Sequence, residues 1–122
     1  MTKERIELGK LGEDLAYKKI KGLGYKNIIR NYRCGLGEID LIAKDGDTLV
    51  FIETKTRKGR STGYAKEAVN GRKKRQLSKV ALAYMKANNC YGMRARFDVI
   101  AVSIEGNNTR IELVKNAFEL AY

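Results

Sequence analysis

The sequence predicts an α/β fold in which a mixed central sheet is flanked by helices on both faces. Three observations carry this reading. The chain opens on an amphipathic helical stretch, three strand-like runs follow at short spacing, and a second helical stretch separates these from two further strand-like runs. Short connections between the first three strands demand antiparallel neighbours, whereas a helix between strands permits a parallel crossover.

Taken in order, residues 3–22 read as a helix, ended by Gly22-Leu23-Gly24. It has two apolar sides, one of Leu8, Leu11 and Leu15, the other of Ile6, Gly9, Ala16, Tyr17 and Ile20. Glu13 stands within the second stripe, and because Glu is rarely buried unpaired, the residues alone favour the stripe's edge. Residues 25–33 read as a first strand and 35–37 as a turn. Residues 38–44 and 49–57 are the arms of a hairpin around Asp45-Gly46. Residues 58–63 (KGRSTG) form a basic loop, 65–69 a short helix, and 73–88 a longer helix with Leu77, Val80, Ala81 and Tyr84 inward. A strand at 95–104 (ARFDVIAVSI), a turn at 105–108, a strand at 109–114 and a helical turn at 116–122 complete the order α-β-β-β-α-β-β-α. No repeat, linker or low-complexity tract divides the chain, so residues 1–122 are expected to form one domain.

Composition narrows the function. The 122 residues are 43% hydrophobic, enough for one core, and carry a formal charge of +11. Such a charge points to a polyanionic partner, nucleic acid before an anionic membrane surface. No apolar run is long enough to span a bilayer, and the mixed charges of residues 1–20 exclude a secretory signal. Cys34 and Cys90 have no CxxC spacing and read as reduced thiols of a cytoplasmic protein. The chain has no His, which removes Ser-His-Asp and Cys-His catalysis. Hydrolysis here must rely on carboxylates, Lys, Tyr or a metal-bound water.

The hairpin carries four charges among residues suited to a core: Glu38, Asp40, Glu53 and Lys55. Strict alternation puts Glu38, Asp40 and Ile42 on one face, and Phe51, Glu53, Lys55 and Arg57 on one face of the partner arm. A two-residue turn at Asp45-Gly46 sets Glu38 opposite Glu53 and Asp40 opposite Phe51. A four-residue loop sets Asp40 opposite Glu53 and Glu38 opposite Lys55. Both registers gather the four charges; a three-residue loop without a bulge splits them. Like charges on one face become tolerable beside Lys55 or a divalent cation, and Mg²⁺ favours one or two protein carboxylates with water and phosphate oxygens. The competing reading is a solvated hairpin with a cross-strand ion pair.

Asp40, twelve intervening residues, and then Glu53-Thr54-Lys55 resemble the motif of the PD-(D/E)xK nuclease superfamily. Together with LGKLGEDLAYKKIKGLGY near the start, GYAKEAVNGRKKRQLSKVALAYM and RFDVIAV, the hairpin resembles the YraN family of bacterial proteins over nearly the whole chain. That family is similar to archaeal Holliday-junction resolvases. The resemblance implies a restriction-endonuclease-like fold and a site of Asp40, Glu53 and Lys55. Junction resolvases also carry a Glu on the first helix that completes their metal site, and Glu13 matches it. Glu38 belongs to the family's GEID string and is expected to support the ligands rather than bind. Thr54 stands where Val is usual, and alternation turns it away from Glu53 and Lys55.

The expected chemistry is phosphodiester hydrolysis with Mg²⁺ or Mn²⁺ held by Asp40, Glu53 and Glu13, with Lys55 positioning water or stabilising charge at phosphorus. From Lys55 to Lys79 there are ten Lys or Arg and one acid, Glu67. Arg57, Lys58 and Arg60 follow the site directly, and Arg72, Lys73, Lys74 and Arg75 open the crossover helix; these are the expected phosphate contacts. The expected partner is DNA read by shape, and a two-fold homodimer would suit a four-way junction by analogy with the resolvases. The alternatives are a non-catalytic nucleic-acid binder with a nuclease-like fold, and an adaptor docking an acidic protein.

Overall fold

The computed structural model describes residues 2–59 and 69–119. Its elements are α1 (Lys3–Gly22), β1 (Lys26–Cys34), β2 (Gly37–Asp45), β3 (Thr48–Lys58), α2 (Gly71–Ala87), β4 (Arg94–Glu105) and β5 (Asn108–Phe118). The five strands form one sheet in the order β1-β2-β3-β4-β5. Neighbours are antiparallel except β3 and β4, which the α2 crossover makes parallel. This is the mixed sheet with helices on both faces that the sequence predicts, and the fold is of the restriction-endonuclease-like class.

Each helix buries a different face of the sheet. Ala16 and Ile20 of α1 pack on Leu41, Ala43, Val50, Ile52, Ile100 and Val102. Leu77, Val80 and Ala81 of α2 pack on Ile42, Leu49, Phe51, Phe97, Val99 and Ala101. β3 and β4 are thus covered on both sides, which is why their sequences run nearly without polar alternation. The two expected stripes of α1 resolve into one narrow buried line, since Gly12, Ala16 and Ile20 are buried while Ile6 and Leu11 are exposed. Gly12 lets the helix touch the sheet: a Cβ there would collide with Thr56 Oγ1. At the start of α2, Asn70 caps the first turn, its Oδ1 accepting from the Lys73 N–H at 2.9 Å.

Three expectations are corrected. The terminal helical turn is not formed over 116–118, where β5 continues to Phe118. Asn116 takes a left-handed conformation (φ 53°), the β4–β5 register shifts there, and Phe118 stacks on Phe97 with centroids 4.6 Å apart. Residues 120–122 lie outside the described residues, as do residues 65–68 of the short helix expected over 65–69. The hairpin turn is centred on Gly46-Asp47, not Asp45-Gly46: Asp45 pairs with Thr48 and Lys44 with Leu49. Gly46 supplies the positive φ of 61°, and Asp45 stays in the strand, gripped by Arg96 at 2.8 Å. This is the register that the four-residue loop predicts.

The third correction matters most for the site. Alternation breaks at Asp40. Ile39 and Ile42 both face α2, although they are three residues apart, while Leu41 and Ala43 face α1. The neighbouring strand breaks with it: Ile29 and Tyr32 both face α2, and Asn31 between them has φ 53°. The pairs Arg30↔Leu41 and Tyr32↔Ile39 set Asn31 beside Asp40. Glu38, Asp40 and Ile42 therefore do not share one face by simple alternation.

Candidate functional site

The break turns Asp40 out of the ladder and toward α1. The β2–β3 pairing runs from Asp45↔Thr48 to Leu41↔Ile52, and beyond it a side chain takes over. Asp40 Oδ2 accepts from the Thr54 N–H at 2.8 Å and from the Thr54 hydroxyl at 3.0 Å. Alternation alone sets Thr54 apart from the site, yet it holds Asp40. Thr54 does face away from Glu53, but the break carries the Asp40 carboxylate round to meet it.

Glu53 keeps the α2 side. It is only 6% exposed, and Lys73 Nζ lies 3.3 Å from its Oε2. Burial pushes its carboxyl up to about 8, and hydrogen bonding to Asp40 and repulsion from that charge add to the rise. Lys73 pulls the other way without offsetting them. Of the two opposed influences, burial beside a second carboxylate outweighs a partly exposed ammonium. Glu13 is half-buried, and its carboxyl is also raised, first by burial and next by Asp40, against the lowering influence of Arg30. Glu38 is exposed and accepts from Arg33 Nε at 3.0 Å.

Asp40 is thus the hub, in contact with Glu53 on one side and in the field of Glu13 on the other. Among the described residues, no three His, Cys, Asp or Glu side chains converge closely enough to hold a metal together. The donor chemistry nonetheless fits a hard divalent cation. Asp40 and Glu53 could supply the one or two carboxylates that Mg²⁺ or Mn²⁺ takes, and a cationic group already stands on Glu53. Glu13 belongs to the same groove at longer range.

That groove, of about 740 Å³, runs between the first turns of α1 and the last residues of β3. Glu4, Glu13 and Asp40 are its acidic lining and Arg5, Lys55, Arg57 and Lys58 its basic lining, with Thr54 beside Asp40. Arg5 escaped the sequence reading; its signal was a spacing of eight residues from Glu13 on one helix face. The basic run divides. Lys73 is engaged by Glu53, the Lys74 ammonium lies 5.8 Å from the Phe118 ring centroid, and Arg72 and Arg75 are exposed at the start of α2. Arg60 lies outside the described residues.

A second polar network was also missed. Arg96 donates through Nε to both oxygens of Asp98, at 3.1 and 3.2 Å, and through one terminal nitrogen to Tyr25 Oη and Asp45, each at 2.8 Å. Asp98 is fully buried and accepts the Asn116 N–H at 3.1 Å as well. The network ties β4, β5, the hairpin turn and the end of α1 together, away from the groove. Both cysteines are free, and among the described residues no helix is long and apolar enough to cross a membrane.

The sheet order, the crossover and the carboxylates at the break place the chain in the restriction-endonuclease-like class of α/β proteins. Residues 12–102 match Uncharacterised protein family UPF0102, and the chain belongs to that family, the YraN family of the sequence resemblance. A UPF0102 protein of Syntrophus aciditrophicus is 45% identical over 98% of this chain and 94% of its own length. Another from Geobacter sulfurreducens is 49% identical over 94% of this chain and 91% of its own length. A third from Geobacter metallireducens is 43% identical over the full length of both.

Proposed function

We propose that this protein is a divalent-metal-dependent endonuclease acting on structured DNA. The observation that supports this best is Asp40, in contact with the buried Glu53 and lining a groove that Arg5, Lys55, Arg57 and Lys58 also line. Paired carboxylates beside cationic phosphate contacts are what phosphodiester hydrolysis without His requires. Asp40 and Glu53 would hold Mg²⁺ or Mn²⁺, with Glu13 nearby; the bound ion supplies Lewis-acid polarisation of the phosphate and a more acidic water. Thr54 fixes the Asp40 carboxylate so that one oxygen stays directed. Lys55, at the groove, stabilises charge developing at phosphorus. Arg5, Arg57 and Lys58 hold the backbone, and Arg72 and Arg75, exposed at the start of α2, offer further phosphate contacts.

The Lys73–Glu53 pair favours a second reading, a nucleic-acid binder that does not cut, because a protein cation already neutralises one ligand. One experiment separates the two. Branched and linear DNA are incubated with Mg²⁺ or Mn²⁺ and wild type, Asp40→Asn or Glu53→Gln. Cleavage by wild type alone supports the nuclease; binding by all three without cleavage supports the binder. Equal cleavage by all three refutes the assignment of the site.

A further inference from the structure

We propose that Lys73 is a resident counter-cation that a divalent metal must displace from Glu53, so that the first turn of α2 latches the site in its metal-free state. The inference rests on the metal reading of Asp40 and Glu53. Glu53 and Asp40 form one acidic pair, in contact and partly buried, and α2 brings a positive partner to it: Lys73 Nζ stands 3.3 Å from Glu53 Oε2. An ammonium and a divalent ion cannot both rest on that carboxylate without repelling one another.

The pair is built to open. Lys73's backbone is pinned by the Asn70 cap at 2.9 Å, whereas its side chain is 36% exposed on a flexible stem. The chain's permanent buried pair is made differently: Arg96 grips Asp98 with a planar fork, the Asp is 0% exposed, and further donors complete it. Where the fold needs a fixed charge pair it uses Arg; at Glu53 it uses a single-point Lys whose side chain is partly exposed. Once displaced, the ammonium joins Arg72 and Arg75 at the opening of α2, where the free N–H groups of the helix also favour phosphate. Metal loading would then add a phosphate contact at the moment the site becomes competent.

The test titrates Mn²⁺ alone against the full chain and follows free Mn²⁺ by electron paramagnetic resonance. Wild type, Lys73→Met, Lys73→Arg and Asp40→Asn are compared. Lys73→Met is expected to bind Mn²⁺ about tenfold tighter than wild type, on the order of one charge–charge contact relieved; Lys73→Arg should stay near wild type and Asp40→Asn should lose binding. Wild-type binding that is lost in Asp40→Asn but unchanged in Lys73→Met overturns the latch and leaves the metal reading standing. No binding by wild type or Lys73→Met overturns both. A second readout needs no variant: amine labelling of wild type, read by mass spectrometry, should find Lys73 more reactive when Mg²⁺ is added. Unchanged reactivity at saturating Mg²⁺ overturns the latch.

Discussion

Glu53 should make the metal-free protein lose stability as the pH rises from about 4.5 to about 8, and Glu53→Gln should abolish that loss. The folded state holds the Glu53 proton up to about 8, whereas the unfolded chain releases it near 4.5. Between these values the folded state binds more protons, so stability is complete below the lower value and falls as pH rises through the window. At about 1.4 kcal/mol per pH unit the ceiling is about 5 kcal/mol. Lys73 is already part of that balance, and water admitted on ionisation lowers it further, so a loss of about 2–4 kcal/mol is expected. The assay is urea denaturation at pH 5, 6.5 and 8 with a chelator present, for wild type and Glu53→Gln. The comparison is of slopes against pH, because Gln facing Lys73 adds an offset of its own. A constant difference between the two proteins across the range would refute the reasoning. Glu13, raised in the same direction, remains in both and cancels.

Gly12→Ala should cost about 1–3 kcal/mol by overpacking against Thr56, and Thr56→Ala in that background should restore part of it, as read by thermal unfolding. Arg96→Met should cost about 3–5 kcal/mol because it strands the buried Asp98 charge, and adding Asp98→Asn should recover a measurable share. In fluorescence anisotropy with a branched DNA, replacing Arg5, Arg57 and Lys58 together by Gln should flatten the slope of log K against log salt by about 2–3, given roughly 0.9 per phosphate contact. An unchanged slope would place the phosphate track elsewhere.

Much of the fold was legible because its signals are local. The opening helix carries its own stop, the crossover helix its own apolar stripe, and ARFDVIAVSI is long enough to declare a strand buried on both faces. What escaped depends on backbone geometry that alternation cannot see. Asn31 and Asp40 flip together across two strands, so a period of two, correct on either side, assigns the wrong neighbour to Asp40 and hides its bond to Thr54. Lys73 read as one cation among many in RKKR, because only the helix's docking shows that it, and not its neighbours, reaches Glu53. Arg96 and Asp98 went unremarked within a strand, since only the hairpin turn brings Asp45 to Arg96. At the site, the residue types were readable and their partners were not.

The parallel pairing of β3 with β4 sets an order of assembly. Its register joins Thr48 to Arg94, far apart in the chain, whereas β1–β2–β3 and β4–β5 are hairpins closed by short turns. Local hairpins close sooner than distant pairings, because less chain must be confined to form them. Asp40, Glu53, Thr54 and Glu13 all lie on the earlier half, and Lys73 arrives with the crossover. The topology therefore predicts a transient state in which the carboxylate pair exists with no protein cation to neutralise it. Pulse-labelled hydrogen exchange should find β2–β3 amides protected before those of β3–β4, and simultaneous protection would rule this sequence out. A divalent ion present during folding would meet that exposed pair first, so the cell's free metal could reach the site before the latch ever closes.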